Sequence, residues 1–200
     1  MAMNLSLDPS QNIILTEHGA FFHHRTWVTP SDDSWRLNFA GFTPNLDINA
    51  GFGCVLRDQN AIFKAGYAAP IRNSGDGTET ELIALYIGLD IAQRQGVDYL
   101  EIEGDYSFVM QILTGVVDPM SFSLPSSVRK LLGECRKLIG KFRSVKAHEV
   151  HFHANEPAKQ LAVMGSQLDE AVQWLDNIPS PIADSIILDV IGRWMPLDGP

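Results

Sequence analysis

Three groups of residues in this sequence have the types and spacing to do chemistry. Glu103 and Asp105 stand two apart in the run YLEIEGD. If a strand extends that far it points both to one side, where two carboxylates attract a cation; an exposed strand-end carboxylate is the plainer expectation for Glu103. His151 and His153 repeat that spacing, with His148 just before them, and two imidazoles on one side can share a metal ion. They have no nearby cysteine and no clear third ligand, so surface strand-end histidines are expected. The third group is basic. Arg129, Lys130, Arg136, Lys137, Lys141, Arg143 and Lys146 supply seven of the fifteen Lys and Arg residues, opposed locally only by Glu134. The segment therefore carries +6 and the remainder −15, within a chain of net charge −9. Taken alone, such a stripe is expected as a solvated helix face; a surface that tracks a phosphate backbone is the alternative.

The bulk composition bounds what can carry these groups. Two hundred residues, 45% hydrophobic and 20% charged, fit one domain with extensions and a full core. No apolar run approaches the ~18–20 residues of a membrane span, and the opening residues do not read as a signal peptide. Cys54 and Cys135 are too few for a disulfide framework and too isolated for zinc. They are expected as free thiols in a reducing compartment, cytoplasmic or nuclear. The acidic total excludes a generic polyanion binder, so any phosphate contact must come from the basic segment.

The elements that must position these groups follow from periodicity. Residues 1–26 show no clean period and are expected as an irregular extension, although Ile13–Leu15 could form a short strand; His18, His23 and His24 there are expected at the surface. Arg36–Phe42, Gly51–Arg57 and Ala61–Ala69 read as three antiparallel strands, with Asp58-Gln59-Asn60 turning between the last two. Thr78 and Glu81 have capping-box spacing for a helix whose buried side includes Leu82, Leu85 and Leu89 and which Gly96 closes. Tyr99–Glu103 is a fourth strand, and Phe108–Leu113 a second helix. Ser126–Phe142 is a third helix that buries Val128, Leu131, Leu132, Cys135, Leu138 and Ile139, with Arg129, Lys130, Arg136, Lys137 and Lys141 on or beside the opposite side. A strand over Ser144–His153 and a helix from Asn155, running toward Leu175, complete the order. A short amphipathic piece around Ile182–Ile191 follows. Three antiparallel strands and then βα crossovers imply an α/β fold with a mixed five-stranded sheet flanked by helices.

Five stretches carry a family resemblance: Trp35–Gly41 (WRLNFAG), Gly53–Asp58 (GCVLRD), Glu79–Leu85 (ETELIAL), Ile102–Ser107 (IEGDYS) and Ala154–Ala162 (ANEPAKQLA). In order and spacing they resemble ribonuclease H, specifically the module of plant retroelements and of stand-alone plant genes derived from them. Trp174–Ile191 is similar to a tail these modules often carry. The resemblance implies a ribonuclease H-like domain over 27–170 and a C-terminal tail over 171–200. It also implies cleavage of the RNA strand of RNA–DNA hybrids by two magnesium ions held among four carboxylates. Only clustered anions hold that much positive charge.

Carried over, the four family positions fall on Ala40, Glu81, Asp105 and Lys159. Two carboxylates are lost, and no Mg2+ cofactor is expected beyond what the resemblance implies. Glu81 and Asp105 remain as catalytic remnants and weak metal ligands at most, with Glu103 as a candidate replacement. An ammonium at Lys159 is expected to fill the vacancy and pair with Glu81 and Asp105. The family's loop histidine has no counterpart in register; Glu149 takes that slot, with His148 beside it. The expected function is a pseudoenzyme with a degenerate metal site, its cleavage lost or severely weakened, that retains at most binding of RNA–DNA hybrid or RNA through the basic helix. A protein-interaction scaffold and a weak Mg-dependent hybrid nuclease are the alternatives, and no membrane partner is expected.

Overall fold

The computed structural model describes residues 13–14, 30–31, 33–44, 49–72 and 76–192. In chain order the strands are β1 (Ile13–Ile14), β2 (Trp35–Phe42), β3 (Ala50–Arg57), β4 (Phe63–Ile71), β5 (Tyr99–Gly104), β6 (Ser144–Glu149) and β7 (Val172–Leu175). The helices are α1 (Gly77–Arg94), α2 (Ser107–Leu113), α3 (Ser126–Ile139), α4 (Glu156–Ser166) and α5 (Ser180–Gly192), with 3-10 turns at Pro119–Ser121 and Phe152–Asn155. The sheet runs β1-β6-β5-β2-β3-β4-β7. β2, β3 and β4 are antiparallel neighbours, and β5 and β6 add in parallel on the β2 side. The expected five-stranded mixed sheet is therefore present, extended by one strand at each edge.

Both added edges correct the sequence reading. Ile13 and Ile14 are not irregular; they pair in parallel with Val145 and Lys146 of β6. The helix opened by Asn155 does not run on toward Leu175. It stops at Ser166, and Val172–Leu175 pairs antiparallel with Ala65–Ala68 of β4. The residues between contain no glycine or proline, so local propensity gives no stop signal. The otherwise unpaired edge of β4 supplies a stronger demand than helix continuation. The α1 cap also differs. The helix begins at Gly77, capped by Asp76 through its side chain to the Thr78 N–H at 2.8 Å. Glu81 is thus past the capping-box position, and its side chain is left for another use.

Alternation along β2 divides its side chains between two layers. Leu37 and Phe39 pack in the large core built with α1, α2 and α3, whose members include Leu82, Leu85, Leu89, Met110, Leu132 and Cys135. On the other side Ala40 meets Ala158 and Ala162 of α4. A second core joins Val55, Phe63, Ala68 and Leu161 to Ile182 and Ile186 of α5. The segment read as a tail thus contributes both a sheet strand and part of a core.

α4 lies so close to β3 that only glycine fits beneath it. A Cβ on Gly51 would stand 2.2 Å from the Ser166 nitrogen and 2.4 Å from the Ala162 oxygen, and one on Gly53 would stand 2.5 Å from the Leu161 Cβ. These are backbone and Cβ atoms that no rotamer change relieves. Gly51→Ala is therefore expected to destabilise the protein by about 1–3 kcal/mol, the usual cost of overpacking. Urea denaturation measures it, and an unchanged midpoint would contradict the packing described.

Candidate active site and nucleic-acid face

The first turn of α1 is drawn against the end of β2 at Gly41. A Cβ there would be 2.8 Å from the Thr80 Cγ2 and 3.0 Å from the Glu81 nitrogen, so glycine is what permits the approach. The result is that Glu81 sits at the sheet with 6% exposure and receives a backbone hydrogen bond from Gly41. Its Oε2 is buried and has no hydrogen-bond partner. Burial pushes the Glu81 carboxyl up to about 8; the Gly41 bond opposes this and the nearby Asp105 adds to it. Asp105 follows directly on β5 and is partly exposed. Glu81 and Asp105 are therefore brought together.

Asp105 is held by an amide. Asn155 Nδ2 donates to Asp105 Oδ1 at 2.6 Å and to the Phe39 carbonyl at 2.9 Å. From Asn155 a polar seam runs under the sheet. Asn38 Nδ2 donates to Asn155 Oδ1 at 3.3 Å and to Glu103 Oε2 at 2.9 Å, and Arg57 Nη2 donates to Asn38 Oδ1 at 2.7 Å. Arg36 bridges Glu101 and Glu103, the latter at 2.6 Å, and Arg57 reaches Asp189 of α5 at 2.6 Å. Burial alone would raise Glu101, but Arg36 and Ser31 hold it below the usual carboxylate range. Burial raises Glu103, with Arg36, Asn38 and Arg57 pulling the other way.

This seam corrects two expectations. Glu103 is not an exposed strand end; it is 5% exposed and its oxygens are taken by Arg36 and Asn38. It is engaged by these two groups. Lys159 does not fill the vacancy between Glu81 and Asp105. Its ammonium lies 3.7 Å from Glu156 Oε2 and 4.7 Å from the Phe152 ring centroid, with a third of its side chain exposed. The cause lies in α4 itself. Glu156 sits one turn before Lys159, and an exposed i, i+3 pair keeps the ammonium in water, whereas a move to the pocket would require desolvation. Ala40 is 1% exposed, its methyl group closed in by alanines of α4.

Sequence reasoning missed Asn155, Asn38, Arg36, Arg57 and Asp189. Two signals were available. Asn155 lies within the ANEPAKQLA motif, and Arg57 ends a strand that is otherwise apolar or glycine, a position that demands a buried counter-charge. The histidines have other roles. His151 caps the turn through Nδ1, which accepts from the His153 N–H at 3.4 Å, and both rings pack on Phe152. Burial lowers His148 below the ordinary imidazole value. Among the described residues, no three His, Cys, Asp or Glu side chains gather to hold a metal ion. Both cysteines are free and buried, with burial pushing each thiol up to about 12.

α3 buries Val128, Leu132, Cys135, Leu138 and Ile139 as expected, with Leu131 only partly covered. Arg129, Lys130, Arg136 and Lys137 are exposed on it, followed by exposed Lys141 and Arg143. Two of these cations have acidic partners, Lys137 with Glu134 at 2.8 Å and Arg143 with Asp98 at 3.2 Å. The exposed charges of this face are predominantly positive.

An open mixed sheet in this strand order, with carboxylates where β2, α1 and β5 converge, defines a ribonuclease H-like protein. Known proteins agree. The reverse transcriptase-like family profile matches residues 38–165, and the chain belongs to that family. Ribonuclease H1 of the halophilic archaeon Halobacterium salinarum is similar at 25% identity and TM-score 0.59, over 66% of this chain and 96% of that one. An N-terminal ribonuclease H domain from Mycobacterium tuberculosis shares the fold at 20% identity and TM-score 0.60, over 67% of this chain and 94% of that one. A ribonuclease H1 isolated from compost, solved in complex with an RNA/DNA hybrid, shares it at 17% identity and TM-score 0.59, over 66% and 96%. No curated protein matches the chain.

The site makes stability depend on pH in a definite direction. The folded Glu81 carboxyl titrates near 8 against an ordinary value of 4.5. Between these values the native state keeps a proton that the unfolded chain releases, so this residue's contribution falls as pH rises and is fully lost above the folded pKa. Glu81→Gln is expected to leave stability nearly unchanged at pH 4 and to raise it at pH 9, by roughly 3–5 kcal/mol if the whole shift is recovered. Thermal melts at both pH values read this; equal effects at the two would contradict the burial assigned to Glu81.

Proposed function

We propose that this chain is a ribonuclease H-fold protein that has lost two-ion cleavage and binds RNA–DNA hybrid or structured RNA through the basic face of α3 and the turn after it. The observation that carries the first half is the donor set. A two-magnesium centre needs several carboxylates converging on one point, because each ion must exchange water for anionic oxygens. Here the positions equivalent to the family's four ligands hold Ala40, Glu81, Asp105 and Lys159. Glu81 has a buried oxygen without a partner, but Asp105 shares one oxygen with Asn155, and Glu103 is committed to Arg36 and Asn38. These residues do not fit a pair of magnesium ions.

The second half is supported by charge. The basic face is exposed on a chain that is otherwise acidic, and phosphate neutralisation by Lys and Arg is what drives backbone binding. A protein-interaction scaffold is the second reading. It is favoured by α5, where Ile187, 50% exposed, lines one pocket with Ile62 and Ile178 at 54% and 41%. Exposed apolar residues grouped in this way mark docking surfaces.

Both halves are tested with labelled RNA–DNA hybrid. The unmodified chain is expected not to cut it with magnesium or manganese, but to bind it with an affinity that falls steeply with salt. Arg136→Glu with Lys137→Glu is expected to weaken that binding at least tenfold at low salt. Cleavage by the unmodified chain would overturn the first half. Absence of binding at low salt would overturn the second and favour a protein partner.

A further inference from the structure

The described side chains connect α5, close to the chain's C-terminal end, to the carboxylate pocket at the far side of β2 without a break. Asp189 accepts from Arg57 Nη1 at 2.6 Å, Arg57 Nη2 donates to Asn38 Oδ1 at 2.7 Å, Asn38 Nδ2 reaches Asn155 Oδ1 at 3.3 Å, and Asn155 Nδ2 holds Asp105 Oδ1 at 2.6 Å. Each intermediate group is out of water: Arg57, Asn38 and Asn155 have zero exposure. Water cannot replace a lost partner inside such a chain, so a change at one end must be met by reorientation at the next group. The amide of Asn38 is the pivotal member. Its oxygen is fixed by Arg57, which forces its nitrogen toward Glu103 and Asn155, and this in turn turns the Asn155 oxygen inward and its nitrogen toward Asp105.

We propose that Asp189 is a positioning residue for the pocket: α5 sets the orientation of Asn155 and Asp105 through Arg57 and Asn38. In this account α5 sets the geometry of the pocket and is not only packed for stability. Packing alone does not require it. Ile182 and Ile186 already anchor the helix in the second core, whereas Asp189 enters the seam one turn further on. The inference does not rest on nucleic-acid binding or on the loss of cleavage.

The test uses the full chain and the side-chain amide resonances of Asn155 in nitrogen-15 NMR spectra. Asp189→Ala is expected to shift both Asn155 amide protons and to speed their exchange several-fold. Ile182→Ala, which loosens α5 in its apolar contact and leaves the seam intact, is expected to move neither. If Asp189→Ala does not fold, Asp189→Asn, which keeps the shape and removes the charge, is read in the same way. Unchanged Asn155 resonances in the folded Asp189 variant would overturn the proposal. An equal change in Ile182→Ala would overturn it too, because packing and not the polar chain would then be the cause.

Discussion

A guanidinium removed wholly from water has to be met by oxygens, and Arg57 is the residue whose demand organises the rest. Burial lowers its pKa and the Asp189 carboxylate opposes that shift. The pair costs desolvation to form, and breaking one side of such a pair typically costs about 3–5 kcal/mol. Meeting that demand fixes Asn38 on β2, brings α5 onto the α4 side of the sheet, and supplies the second fixed point for Asn155. Arg36, two residues before Asn38 on β2, answers Glu101 and Glu103 in the same way. β2 is therefore lined on that side by neutralised polar groups until it reaches Ala40.

At Ala40 the character of the surface changes. The close contacts of α4 with Ala40, Gly51 and Gly53 need the smallest side chains, and they bring the helix's alanines against Ala40. Glu81 is left with a buried oxygen that has no hydrogen-bond partner, and burial is what holds its proton. Asp105 is stabilised by an amide donor. Lys159 stays in water with Glu156. Each of the three groups is neutralised or paired by the protein itself, and that supports the proposal that the pocket is a remnant.

The sheet and its helices were legible because alternation is strong in β2, β3 is a short apolar run closed by turn residues, and the 3.6-residue period is strong in α3. The motif spacing also pointed correctly to Glu81 and Asp105 as neighbours. The misses share a cause: they are decided by partners distant in sequence. The stop of α4 depends on the open edge of β4. The burial of Glu103 depends on Arg36, 67 positions earlier in the sequence than Glu103 itself, across the β2–β5 pairing. The place of Lys159 was read from the vacancy it was expected to fill, when the nearer Glu156 and the cost of desolvation determine it. Arg57 inside an apolar strand was the overlooked sign that a charged partner had to arrive from elsewhere.

The central claim is that the pocket no longer holds a pair of divalent ions. Titration with manganese, following paramagnetic broadening of the backbone amides of Glu81 and Asp105, addresses it without reference to activity. The account predicts no saturable binding of two ions per chain at millimolar concentration. Saturation at two ions, lost in Glu81→Gln, would contradict it and restore the site as a metal centre built from fewer carboxylates.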